Sequence, residues 1–103
     1  MDAYTTVTEA IDGLKARGFT SNFEFINGRF QELGNQGSFF KAEELTIVEL
    51  HRFEGISNPA DESIVYAITT RDGVRGVLVD AYGVYADPAL AAFLRNVAIR
   101  KNG

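Results

Sequence analysis

The chain contains no cysteine. That excludes disulfide bonds, thiolate zinc sites and a cysteine nucleophile. It contains one histidine, His51. No apolar run approaches the ~20 residues that a bilayer-spanning helix needs, so no membrane association is expected. Positive charge is sparse: the net charge is −4, and the only basic cluster is the tail IRKNG, residues 99–103. Nucleic-acid binding normally rests on a concentrated positive surface that engages phosphates, so DNA and RNA are not expected partners. The opening MDAYTTVTEA lacks the basic and apolar regions of a signal peptide, which makes a cytoplasmic protein the expectation. Phosphate loops, dinucleotide fingerprints, zinc-ligand spacings and the nucleophile elbow G-x-S-x-G do not occur. No cofactor is therefore implied, and repeats, low-complexity stretches and linkers are lacking too.

What is present suits one domain spanning residues 1–103, with a hydrophobic fraction of 46%. A chain of this size buries roughly 65% of its unfolded surface, enough for a core without staples. The stretch TVTEAIDGLKARG predicts a helix, because Val7, Ala10, Ile11 and Leu14 recur on one face. Thr6 and Glu9 fit a capping box, Lys15 and Arg17 suit the negative end of the helix dipole, and Gly18 suits its termination. Phe19 then follows as a plug against the core. FEFINGRFQEL reads as a hairpin about Asn27-Gly28, a pair that tolerates the positive φ of a type I′ turn. Residues 34–44, GNQGSFFKAEE, read as a loop anchored by Phe39 and Phe40. LTIVELHRF, SIVYAITT and VRGVLVDAY read as strands, the last two joined at Asp72-Gly73. Asp87 and Pro88 open a second helix with an apolar stripe at Leu90, Phe93, Leu94 and Val97. The expected fold is α+β: an antiparallel sheet of about four strands, with the N- and C-terminal helices on one face, a two-layer sandwich.

A two-residue Asp72-Gly73 loop would pair Arg71 with Val74, Ile68 with Val77, Tyr66 with Val79 and Ile64 with Ala81. Side chains alternate faces, so Ile64, Tyr66, Ile68, Val77, Val79 and Ala81 would form one apolar face beneath the helices. The other face would carry Val65, Ala67, Thr69, Gly76, Leu78, Asp80 and Tyr82. Its mixed character calls for a cover: the 34–44 loop, a second subunit in a homodimer, or a ligand.

His51 lies in HRFEGISNPADESIVYAI, residues 51–68. If Ile47 and Phe53 point into the core, Glu49 and His51 point with them; if Val48 and Leu50 do, His51 faces the other way. Histidine is the usual general base near neutral pH, but no nucleophile motif accompanies it. One histidine without cysteine leaves Asp61 and Glu62 to complete a metal site, and their spacing fits no ligand pattern, so neither a metal site nor a catalytic residue is assigned. A small anionic ligand would meet Asp80, Tyr82 and Tyr85, close to His51, Arg52 and Glu54. Arg52 can hold a carboxylate or phosphate through two parallel hydrogen bonds. In AYGVYAD the free amides at the second helix start suit an anion, but the Asp87 carboxylate fills that position itself.

Three stretches, TVTEAIDGLKARGFT, HRFEGISNPADESIVYAI and GVRGVLVDAYGVYAD, resemble a family of small bacterial proteins of about this length, over most of the chain. Members are often labelled phosphoribosylpyrophosphate synthetase, which would imply chemistry on ribose 5-phosphate and ATP with Mg²⁺. The acidic ribose-phosphate loop of the longer synthetases, D-D-x-x-x-T-G-x-T, has no counterpart here, and the resemblance carries over no active-site residue. Three functional expectations follow: a small non-catalytic interaction module that self-associates through the second sheet face; a binder of a small anion or phosphate; and an enzyme related to phosphoribosylpyrophosphate.

Overall fold

The computed structural model describes residues 4–53, 63–81 and 87–100. The protein is α+β. Its elements are α1 (Val7–Ala16), β1 (Ser21–Ile26), β2 (Arg29–Glu32), β3 (Asn35–Phe40), a 3₁₀ turn (Ala42–Glu44), β4 (Leu45–Phe53), β5 (Ser63–Thr70), β6 (Arg75–Ala81), α2 (Pro88–Leu94) and β7 (Ala98–Ile99). The strands form one seven-stranded sheet in the order β3-β2-β1-β6-β5-β4-β7. The expected four-stranded antiparallel sheet is thus corrected to a mixed one, in which β1 runs parallel to β6 and β7 parallel to β4. No described helix is long and apolar enough to cross a membrane.

Local signals account for the helix ends. The Thr6 hydroxyl accepts from the Glu9 amide at 3.1 Å, and Glu9 Oε1 accepts from the Thr5 amide at 2.9 Å, one residue earlier than a strict capping box. Asp87 caps α2 by accepting from the Ala89 amide at 2.9 Å. Asn27 and Gly28 have φ of 54° and 76°, and Ile26 pairs with Arg29, as a two-residue type I′ turn requires.

The second hairpin differs from its expectation by one residue. Thr70 and Val74 close a three-residue loop: the Thr70 amide donates to the Val74 carbonyl at 2.8 Å and the Gly73 amide donates to the Thr70 carbonyl at 3.0 Å. Gly73 takes the left-handed conformation at φ +91°, and the Thr70 hydroxyl accepts from the Val74 amide at 3.0 Å. Asp-Gly serves this turn as well as it serves a type I′ turn, and the hydroxyl acceptor at Thr70 supports the longer one. The pairs are accordingly Ile64 with Asp80, Val65 with Val79, Tyr66 with Leu78 and Ala67 with Val77. A slip of one residue exchanges the faces of one strand against the other. The mixed second face expected from the sequence is therefore divided between two packed surfaces.

On one surface Val65, Ala67 and Val77 pack beneath Ala10, Leu14 and Phe19. On the other, Ile68, Leu78, Ile47 and Leu45 join Phe23, Phe30, Leu90 and Val97. The helices lie on opposite faces, α1 over β4–β6 and α2 beneath the wider sheet, which corrects the two-layer sandwich with both helices on one side. The chain's own elements cover both faces of this region. Phe30 is fully buried and stacks on Phe93 at 5.5 Å, with Phe25 beside it at 5.3 Å.

β3 corrects the loop expected at 34–44. Two glycines and mixed polarity hide it in the sequence, but β2 supplies the hydrogen-bonding edge, and Phe40 reaches the core at 6.0 Å from Phe23 while Phe39 stays half exposed under Arg29. Gly76 sits where β6 meets β1. A Cβ there would stand 2.4 Å from the Ser21 carbonyl oxygen and 2.8 Å from the Phe23 ring. Gly76→Ala is expected to lower stability by about 1–3 kcal/mol, as overpacking against backbone does. A urea unfolding midpoint equal to that of the native chain would contradict this close approach.

Candidate anion-binding site

The site begins with an irregularity in β4. Ile47 pairs with Ile68 and Glu49 with Ala67, so Val48 is the extra residue of a bulge. Before the bulge Leu45 and Ile47 face α2; after it Glu49, His51 and Phe53 face α1 and Leu50 and Arg52 face α2. Both registers weighed for His51 from the sequence are thereby half right. Ile47 is buried in the α2-side core and Phe53 packs in the α1-side core, on opposite faces of the same strand.

Arg17, the C-cap of α1, meets Glu49 across this face. Its Nη1 donates to Oε1 at 3.0 Å and its Nη2 to Oε2, a two-pronged pair. The same Nη1 lies 3.5 Å from the Tyr4 hydroxyl. His51 Nε2 is 2.9 Å from Glu49 Oε1, and its ring meets Tyr4 edge-on at 4.9 Å. Hydrogen bonding by Arg17 holds the Glu49 carboxyl below its ordinary range; burial opposes this, and His51 adds to it. The Glu49 carboxylate in turn raises the Arg17 pKa, so the guanidinium is permanently charged.

Beside this pair opens a pocket of about 330 Å³, lined by Arg17, Phe19, Val48, Glu49, Thr69, Arg75 and Arg100. Three elements bring its arginines together. Arg17 closes α1, Arg75 opens β6 opposite Thr69, and Arg100 follows β7, tied to β4 by its amide donating to the Ile47 carbonyl at 2.8 Å. The Phe19 ring is buried, with the Arg75 guanidinium 4.3 Å from its centroid and that of Arg17 at 6.0 Å. Gly18 leaves room for this stacking, because a Cβ there would stand 2.8 Å from Arg75 Nη1. Among the described residues the arginine–carboxylate pair is Arg17–Glu49, and no carboxylate lies within salt-bridge distance of Arg75 or Arg100. The lining thus sets three arginines against one glutamate. A hydroxyl donor, Thr69, stands among them.

The candidate residues that are described, His51, Arg52 and Asp80, stand on two faces of the sheet. His51 is half buried on the α1 face, one hydrogen bond away from the pocket wall. Arg52 and Asp80 are on the opposite face, flanking Ile64 from the two neighbouring strands. Glu54, Tyr82 and Tyr85 lie outside the described residues. Arg17, Phe19, Arg75 and Arg100 were not among the candidates: Arg17 had a sufficient explanation in the helix dipole, and nothing local marks Arg75. Among the described residues no three histidine, aspartate or glutamate side chains are grouped to hold a metal ion.

No protein-family model, curated protein or solved structure matches the chain. The family resemblance rests on the quoted stretches alone.

The Glu49 carboxyl makes a pH prediction. Its folded pKa is below the unfolded value near 4.5, so its contribution is full above that value and is lost as pH falls through the folded one. Urea midpoints should drop more steeply below about pH 5 in the native chain than in Glu49→Gln. Glu9, also lowered, by the Thr5 amide, leaves a common slope in both. Identical acid limbs would remove the Arg17–Glu49 pair from the account.

Proposed function

We propose that the protein binds a small dianion, of the phosphate-monoester class, in the pocket between α1, β4 and β6. The carrying observation is the convergence of Arg17, Arg75 and Arg100 in a chain whose net charge is −4. Two positive charges remain after Glu49 is counted, which matches a phosphate monoester near neutral pH. Arg17 is pre-oriented by Glu49, and Glu49 by His51, so one guanidinium is held in position before a ligand arrives. Arg75 stacks on Phe19, which limits its rotamers. The geometry supplies cations and a hydroxyl donor, and supports binding more directly than turnover. His51 is a positioning residue in this reading.

A second reading, self-association, draws support from the two sheet edges. β3 exposes Phe39 at 49% and β7 exposes Ile99 at 56%, and exposed edges are templates for pairing. The enzyme reading that goes with the family resemblance draws its support from the resemblance alone.

Calorimetric titration with ribose 5-phosphate tests the first reading. Binding should be saturable, weaken with added salt, and fall about 10-fold in Arg75→Ala and again in Arg100→Ala, since a hydrogen bond to a charged group is worth about 1.5–3 kcal/mol. Ribose should not compete. Equal affinity in the native chain and the double variant would refute the site, and formation of pyrophosphorylated ribose from ATP and Mg²⁺ would move the assignment to the enzyme. For self-association, sedimentation should give a dimer that Phe39→Glu or Ile99→Glu converts to monomer; a monomer at high concentration of the native chain rules it out.

A further inference from the structure

The opposite face carries a second concavity, of about 410 Å³, between α2 and the outer strands β4 and β5. It exists because α2 is seven residues long. Leu90 and Phe93 spend that length on the phenylalanine core, and β7 adds two residues beside β4. The strip of sheet left between them has an apolar floor: Ile47, Leu50, Ile64 and the ring of Tyr66. Leu94 and Ile99 form its walls, and Leu50 and Ile99 are 37% and 56% exposed.

Arg52 and Arg95 stand in the lining of this trough, and no carboxylate among the described residues lies within salt-bridge distance of either. Two cations beside an apolar floor complement an amphiphile with an anionic head, such as a chain or ring that ends in a carboxylate. A phosphorylated sugar would strip water from its hydroxyls against leucine and isoleucine, at a cost no partner here repays. The Tyr66 phenol is kept protonated, because burial and the charge of Asp80 raise its pKa while Arg52 acts the other way, so a neutral hydroxyl donor is available beside Arg52. Asp80 faces the same side of the sheet across Ile64 from Arg52 and is not in the lining. Its charge disfavours an anion in that direction and leaves the arginine side.

We propose that this groove binds an amphipathic monocarboxylate, an aliphatic acid of medium chain length, with its tail along Ile47, Leu50 and Leu94 and its carboxylate held between Arg52 and Arg95. The site is independent of the dianion pocket. It lies on the other face of the sheet, and it shares none of Arg17, Arg75 and Arg100.

The test is titration of the ¹⁵N-labelled full chain with sodium octanoate below its micelle concentration, followed by amide shifts, with 1-octanol as the uncharged comparison. Octanoate should give saturable shifts confined to β4, β5, α2 and β7, with an affinity at least about 10-fold above that of 1-octanol, the effect expected of a charge-assisted hydrogen bond. Arg95→Ala and Arg52→Ala should each remove most of that difference and leave 1-octanol unchanged. Ala91→Trp, a substitution at an exposed position of the groove wall, should block both ligands. Arg75→Ala should alter neither. Equal affinity for octanoate and octanol, shifts centred on the Arg75 pocket, no saturation, or shifts that follow protein concentration and so mark a second copy in the groove would each overturn the proposal.

Discussion

Val48 is inserted into β4 against a regular β5, and both faces of the protein depend on that extra residue. Without it, Ile47, Glu49, His51 and Phe53 would share a face. Either two charged or titratable groups would enter the core with the isoleucine, or the isoleucine would leave it with them. The bulge lets Ile47 stay with Phe23, Ile68 and Leu90 while Glu49 turns to meet Arg17 at the end of α1. A bulge also sharpens local twist. Here it re-aims a carboxylate at the guanidinium of Arg17, the C-cap of α1.

The three-residue loop at Arg71–Gly73 is the partner of that irregularity. It sets β6 so that Val77 faces α1 and Leu78 faces α2, and the sheet between the helices becomes buried on both sides. Strands buried on both faces need no alternation of apolar and polar residues, and SIVYAITT has none. The same register puts Arg75 opposite Thr69 and beside Phe19, on the face where Arg17 already stands. Core packing and the charge constellation are thus two outcomes of one pairing. An acidic chain acquires a basic pocket because three arginines far apart in sequence close one helix, open one strand and follow another.

Much of the local structure was legible. Thr6 and Asp87 mark helix starts by accepting from backbone amides that lack a partner, Pro88 marks one by having no amide hydrogen to satisfy, and Asn27-Gly28 marks a turn through positive φ; each is a local property. Of the candidate residues, His51 belongs to the hydrogen-bonded cluster of Glu49 and Arg17 behind the proposed pocket. Arg52 and Asp80 were expected to stand with it, and they do not: Arg52 because adjacent residues of a strand point to opposite faces, and Asp80 because the three-residue loop pairs it with Ile64 rather than Val65. Residues 34–44 illustrate the other limit. An edge strand with two glycines is held by its neighbour's hydrogen bonds and by Phe40 in the core, neither of which is visible in its own composition.

The sequence by itself determined the α+β class, the positions of both helices, the first hairpin and the absence of thiol chemistry, since these follow from periodicity, caps, turn residues and residue type. Tertiary structure alone decided the face of every strand residue, the opposite placement of the two helices, the seventh strand and the gathering of Arg17, Arg75 and Arg100. The physical reason is the period of two in a strand. One residue more or less in a turn or a bulge costs little locally and inverts every side chain beyond it, so the choice is made by what the whole sheet can bury.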